Sequence, residues 1–203
     1  MPKPRRLTQR YICDEADKTR GSEDIPVEIE EIIELKYKIQ IVPLRELLKV
    51  VNTEGFLSKD KLEIYVDQER YINPIFKQRL RFTLAHELGH YILHPEFYED
   101  VEFKKPEDII TFFNSMNEDD LHWFEYQANE FAGRILVPVT KLESLSNGNK
   151  SYIEELKGKF QESDGHDDLI LDAFSRKICG DFDVSNDVIK IRIHKERLIE
   201  HFS

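Results

Sequence analysis

The sequence predicts an α+β fold, mostly helical, with a small antiparallel or mixed sheet beside one long central helix. Three observations lead there. Apolar residues recur at helical spacing from Asn73 to His94 and again from Leu121 to Leu136, runs too long for ordinary strands. Leu62, Ile64 and Val66 alternate with polar neighbours, and Ile39 to Leu44 alternates or runs apolar, as short strands do. A chain of 203 residues can fill one core and carry an appended subdomain, but is too short for two large domains.

Residues 1–23 are polar, carry both signs of charge and show no helical or strand period, so a mobile or loosely docked arm is expected. Its Arg5, Arg6 and Arg10 read first as a solvated tail and second as a partner contact. Residues 24–140 are expected to form the core, and 141–203 a helical region packed on it. A first helix is expected near Ile25, with Pro26 in its first turn and Val27, Ile29, Ile32, Ile33 and Leu35 available for a core face. A strand over Ile39 to Leu44 follows, then a short helix in RELLKVVNTEGF ending near Gly55, then a strand with Leu62, Ile64 and Val66 on its buried face. That strand could also bind an extended peptide by its edge, although a plain structural role is the simpler reading.

Asn73 and Pro74 read as an N-cap and first helical residue, and Pro95 disfavours helix at His94. The segment between spans roughly 30 Å at about 1.5 Å per residue, enough to cross a small core. It contains HELGH. His86 and His90 are one helical turn apart, so their imidazoles can share one ion, and Glu87 beside them can take a proton from water activated by that ion. The flanking residues give the short pattern weight. Phe82, Leu84, Ala85, Leu88, Tyr91, Ile92 and Leu93 cover most of the helix circumference, leaving one sector for Thr83, His86, Glu87, His90 and His94. A helix so apolar is buried, and buried histidines and carboxylates need hydrogen-bond partners or a metal. Two hydrogen-bonded core histidines are the weaker alternative. Gly89 would allow another backbone to approach closely.

The acidic connection after Pro95 carries Glu96, Glu99, Asp100, Glu102, Glu118, Asp119 and Asp120, with a short helix expected around Asp108 to Phe113. A solubilising loop is the leading reading, and a negative field favouring basic polypeptides the other. In the next helix Leu121, Phe124, Ala128, Phe131, Ala132, Ile135 and Leu136 define a buried stripe. Glu125 falls inside it and Glu130 opposite. An inward carboxylate is costly without a cation or donor, so Glu125 is the better third ligand. Asn129 reads either as an acceptor for a ligand histidine's other N–H or as a surface amide. A donor for a developing oxyanion is also expected, with Tyr91, His94, His122 and Tyr126 as candidates among which the sequence does not choose. His94 lies about 12 Å along the helix from His86, too far to share an ion, and reads as a hydrogen-bonding residue beside the ligands. His166, His194 and His201 sit in polar or terminal settings and read as surface residues.

HELGHYILHP followed by EYQANEFAGRILVP resembles the ImmA/IrrE family of metallopeptidases, whose pattern is HExxH and then ExxANxFAxxLLxP. The likeness runs roughly from Ile29 to Pro138, weakly at first and strongly over the two motif helices. Gly133 and Arg134 depart from the usual small or helix-forming residues without touching a motif position. The resemblance implies a zincin-like fold, Zn²⁺ held by His86, His90 and Glu125, Glu87 as catalytic base and Asn129 supporting a ligand, with Mn²⁺ or Fe²⁺ compatible with the same set. It also implies a protein substrate of regulatory kind, such as a helix-turn-helix transcriptional repressor. The rival reading is a scaffold that binds a repressor or toxin partner without cutting it, against which Glu87 argues, since a purely structural zinc site has no use for a base.

Beyond Pro138, SYIEELKGKF, DLILDAFSRKI and VSNDVIKIRIHKERLIEHF have helical apolar spacing, with Ser185 a cap for the last, although VIKIRIH alternates as a strand would. Lys190, Arg192, Lys195 and Arg197 read first as a solvated basic face and second as a DNA contact. A net charge of −11 opposes binding nucleic acid by charge alone. Cys13 and Cys179, far apart and without CxxC spacing, suggest neither a disulfide framework nor a cysteine metal site and suit a reducing compartment. No apolar run approaches the roughly 20 residues needed to cross a bilayer, and a cytoplasmic location is expected.

Overall fold

A computed structural model describes residues 3–98, 108–161 and 164–198, without the side chains of residues 109, 110 and 114. It is mostly helical with one three-stranded sheet, the expected α+β class. The chain forms two compact units, Met1–Gly21 with Glu28–Ile135, and Ser22–Val27 with Leu136–Ser203.

In the first unit the sheet is mixed, in the order β1-β3-β2. Strand β1 (Gln40–Leu44) runs parallel to β3 (Glu63–Asp67), and β2 (Gly55–Leu57) runs antiparallel to β3 on the other side. Ile64 and Val66 are fully buried, but Leu62 precedes the strand and is 59% exposed, so the expected buried face is one residue pair shorter. Gly55 opens β2 rather than closing the preceding helix. That helix, α3 (Leu47–Val51), stops at Asn52 in left-handed backbone conformation, a geometry an asparagine tolerates.

The helix expected from Ile25 begins four residues later, as α2 (Ile29–Glu31) continuing into a π turn over Ile32–Lys36. Its buried residues are Ile29 and Ile33, one turn apart, while Leu35 is exposed. Helix α4 (Gln68–Ile72) is capped by Asp67, whose carboxylate accepts from the N–H groups of Glu69 and Arg70. Asn73 then accepts from the Ile75 N–H and starts a 3-10 turn, Pro74–Phe76, that leads into α5 (Lys77–Leu93). Helix α5 ends at His94 as expected from Pro95, and a second 3-10 turn, Pro95–Tyr98, follows. Helix α6 (Asp108–Ser115) and helix α7 (Glu118–Leu136) complete the set that surrounds the site.

Two close approaches fix these elements. A Cβ built on Gly89 of α5 would lie 3.2 Å from both Cα and the carbonyl oxygen of Ala128 on α7, so the helices cross backbone to backbone. A Cβ on Gly55 would lie 2.7 Å from the Thr83 methyl, which brings β2 against a different face of α5. The long helix is thus held between α7 and an edge strand.

The N-terminal segment is not the aperiodic arm expected from its polarity. Gln9–Arg20 form α1, opened by the Thr8 hydroxyl accepting from the Tyr11 N–H and closed by Gly21 at φ 75°. Ile12 and Ala16, one turn apart, are fully buried. This segment covers a face of α7. Arg6 lies over the Trp123 ring, the Leu7 N–H donates to Gln127, and Arg134 makes a two-pronged ion pair with Asp17 at 2.6 and 2.9 Å. Glu130, expected opposite the apolar stripe, is also buried, on the α7 face that carries Gln127 and Arg134. Helix α7 is covered on two faces, and apolar periodicity marks only one of them.

The second unit contains α8 (Val139–Gly148), α9 (Lys150–Phe160), α10 (His166–Phe182) and α11 (Asn186–Lys195). The run VIKIRIH is helical, and Ser185 caps α11 by accepting from the Val188 N–H. Its basic residues do not form an open face: Arg192 is buried and paired with Glu196, and Lys190 lies 3.0 Å from Asp172 and 2.9 Å from Asp187. Among the described residues no helix is long and apolar enough to cross a membrane.

Candidate metal centre and active site

The α5–α7 crossing brings His86, His90 and Glu125 to one point. His86 Nε2 lies 3.0 Å from His90 Nε2 and 3.2 Å from a Glu125 carboxylate oxygen, and His90 Nε2 lies 3.7 Å from the other oxygen. Ligands on a tetrahedral zinc ion at about 2.0–2.1 Å stand roughly 3.3 Å apart, so these separations bracket the spacing such an ion requires. Two imidazole nitrogens 3.0 Å apart are also repulsive when both are lone-pair acceptors, unless a proton or cation sits between them. The donor set therefore fits a divalent metal.

The partners of the outer nitrogens support that fit. His86 Nδ1 lies 3.0 Å from the Asn129 side-chain oxygen, which can only accept, so Nδ1 carries a hydrogen and Nε2 is the nitrogen that would lose its proton to a cation in the cluster. His90 Nδ1 lies 3.0 Å from His94 Nδ1, and both rings stack on Phe124 at 4.2 and 4.4 Å between centroids. His94 is thus a neighbour of a ligand, buried and 1% exposed. Burial and the charge of His86 push its pKa down to about 3, keeping it neutral. His90 is held low by burial and by His86 and His94 in the same way. His86 goes the other way: burial opposes its charge, but the hydrogen bond to Glu125 and the charges of Glu87 and Glu125 outweigh that and raise it.

Glu87 lies next to His86 on α5, lines the same cavity and is 6% exposed. Burial raises its pKa to about 7, reinforced by Glu125 and opposed by the charge of His86 and by a hydrogen bond from the Leu57 backbone of β2. A carboxyl group poised there can gain and lose a proton near neutral pH.

A cavity of about 440 Å³ opens on these groups, lined by His86, Glu87, His90 and Glu125 together with residues of α3, β2 and α6. A second cavity, of about 540 Å³, shares His86, Glu87 and Gly55 with it and continues past Asn129. Neither includes Tyr91, His94, His122 or Tyr126. Tyr91 packs edge-on against Tyr37, His94 lies behind His90, and His122 stacks on Tyr126. The tyrosine in the cavity is Tyr98, from the 3-10 turn after α5, with its pKa raised well above 10.0 by burial and by Glu87 and Glu125. No periodicity could single it out, because a turn after a proline has no face to read.

Of the acidic residues in and after this connection, Glu96, Glu118, Asp119 and Asp120 lie among the described residues. Glu96 pairs with Arg5 at 3.4 Å, and Glu118, Asp119 and Asp120 occupy the first turn of α7, where the helix dipole favours them. Glu99, Asp100, Glu102 and His201 lie outside the described residues.

Residues 77–165 match the family model Peptidase_M78, described as an IrrE N-terminal-like domain. The resemblance read from the two motifs is thereby borne out over this segment, which carries α5, α7 and all three clustered side chains. No curated protein matches the chain.

Proposed function

We propose that this protein is a zinc-dependent metalloendopeptidase that cuts a regulatory protein, such as a helix-turn-helix transcriptional repressor. The reading rests chiefly on one observation: three groups of zinc-ligand type converge within 4.8 Å while a buried carboxylate with a pKa near 7 faces the same cavity. His86, His90 and Glu125 would hold a divalent ion, which when bound would supply Lewis acidity toward water and the scissile carbonyl. Glu87 accepts the proton of the attacking water and passes it to the departing amine. Asn129 and His94 keep the two imidazoles in the tautomer that turns Nε2 toward the ion. As donor to the developing oxyanion we take Tyr98 in preference to the four expected from sequence, because it lines the cavity and they do not. The repressor as substrate is supported by the family likeness alone.

The test pairs metal analysis with cut-site mapping by mass spectrometry, using repressors encoded beside this gene. Wild type loaded with zinc should cleave at a defined bond, and Glu87→Gln should keep its zinc while losing cleavage by about 10²-fold or more. Normal processing by Glu87→Gln would remove the proposed base. Binding without cleavage by wild type would favour the scaffold reading.

A further inference from the structure

The two cavities around the reacting groups differ in chemistry. Gly55, His86 and Glu87 line both, so the cleft has two lobes that meet at β2. One lobe runs past Glu54, Arg79, Thr83 and Asn129, a polar wall in which Arg79 and Glu54 are bonded to each other. The other is walled mainly by Val50 and Val51 of α3, Phe56 of β2, Phe112 and Phe113 of α6, and Leu121 of α7, with the uncharged Asn52 and Thr53 where the two lobes meet.

The apolar wall has a rigid base. Val51 and Phe56 are each 6% exposed, belong to one packed cluster with Leu47 and have Phe113 against them. Phe112 is 4% exposed and meets the Phe97 and Phe124 rings, and Phe124 in turn stacks on His90. The wall is therefore braced by the same aromatic group that fixes a candidate ligand. By contrast, Val50 is 53% exposed at the rim, an apolar side chain left facing the opening. Among the described residues, the charged or ionisable side chains lining the lobe are those of the reacting centre and Tyr98.

We propose that this lobe is a specificity subsite that receives a bulky apolar side chain, aromatic or branched aliphatic, of the residue adjoining the scissile bond. The proposal rests on the metallopeptidase reading for its location. The volume, about 440 Å³, lies within the range of roughly 300–1,000 Å³ typical of small-ligand sites and has room for a large side chain. A charged side chain placed there would lose water and find no countercharge among the described wall residues. Glycine or alanine would leave most of the wall in water.

Two experiments test the subsite and separate its failure from that of the peptidase reading. In the first, zinc-loaded wild type is given a peptide library of random sequence, and cuts are mapped by mass spectrometry. Phe, Leu, Ile or Met should dominate one of the two positions flanking the cut, by roughly tenfold or more over Asp, Lys and Gly. In the second, zinc-loaded Glu87→Gln, which need not cut anything, is titrated with peptidyl hydroxamates bearing benzyl, isobutyl or carboxymethyl side chains. Benzyl and isobutyl should bind roughly tenfold or more tighter than carboxymethyl. Val50→Asp at the exposed rim, added to that variant, should erase the preference while zinc content and Tm hold. Cleavage with no apolar preference overturns the subsite and leaves the peptidase reading intact. An inert wild type whose Glu87→Gln form still prefers benzyl leaves the lobe as an apolar side-chain pocket but overturns the peptidase reading and, with it, the assignment to a cleavage position. Equal hydroxamate affinities overturn the subsite outright.

Discussion

The side-chain oxygen of Asn129 stands 3.0 Å from Nδ1 of His86, on the ring atom opposite the one that faces Glu125. An amide oxygen cannot donate, so this contact decides which imidazole nitrogen is available to a metal. Removing it frees the ring to rotate and to take the other tautomer. Asn129→Ala is expected to weaken zinc binding by about 10- to 100-fold with the helix content unchanged. Competition against a chromophoric chelator measures this directly, and an unaltered affinity would show that His86 is held by other means.

Glu125 contributes the carboxylate of the cluster and is 36% exposed at its side chain, so the fold does not depend on burying it. Glu125→Ala is expected to lose most bound zinc while the metal-free protein melts near the wild-type temperature. Elemental analysis after gel filtration reads the outcome. Full occupancy in the variant would move the third ligand elsewhere.

The pH dependence of cleavage follows from Glu87. Its pKa in the folded protein is raised to about 7 from an ordinary 4.5, and only the deprotonated form can act as a base. A bound dication favours the carboxylate and draws that value down again. The acid limb of kcat/KM is therefore expected between about 4.5 and 7, with activity rising as pH increases through it. A profile that is flat from pH 4.5 to 8 would exclude Glu87 from the rate-determining proton transfer.

Gly89 tests the helix crossing. Replacing a helical glycine by alanine usually gains about 0.5–1 kcal/mol. Here the new methyl group would sit 3.2 Å from Ala128 backbone atoms, which cannot rotate away. Overpacking of that kind costs about 1–3 kcal/mol, so Gly89→Ala should be net destabilising, by about 1–2 kcal/mol. Because the shift separates α5 from α7, zinc affinity should fall as well. Denaturant unfolding together with the chelator assay checks both, and a variant more stable than wild type with full affinity would mean that the crossing has slack.

The docking of α1 has its own signature. Asp17 accepts from Arg134 at 2.6 and 2.9 Å and lies 2.9 Å from Arg20, which is itself buried. Burial works to raise the Asp17 pKa, but the two guanidinium groups outweigh it and hold the pKa below its ordinary 3.8. A depressed carboxylate stabilises the fold above its unfolded pKa, and that stabilisation is lost as pH falls through the folded value. Asp17→Asn should thus cost about 1–2 kcal/mol at pH 7, allowing for its partial exposure, and the gap to wild type should narrow progressively as pH falls below about 3.8. Unfolding curves at pH 7 and pH 3 decide it, a constant gap being the contrary result.

Sequence alone determined the elements whose signal is local. The spacing of His86, Glu87 and His90, the inward register of Glu125 on an apolar stripe, the Asn73 and Ser185 caps, the stop at Pro95 and the small residue at Gly89 are all properties of one segment at a time. Each was legible because a helix of fixed pitch converts order along the chain into position around an axis. Tertiary structure decided what depends on a second segment. The polar stretch before Gly21 became a helix because α7 offered it Gln127, Trp123 and Arg134, and Glu130 on the same α7 face is buried too. Tyr98 reached the cavity from a turn, whereas the better-spaced Tyr91 and Tyr126 packed against other rings. Periodicity records which faces of a segment are apolar; it carries no record of which other segment will cover a polar one, and that is settled only when distant parts of the chain meet.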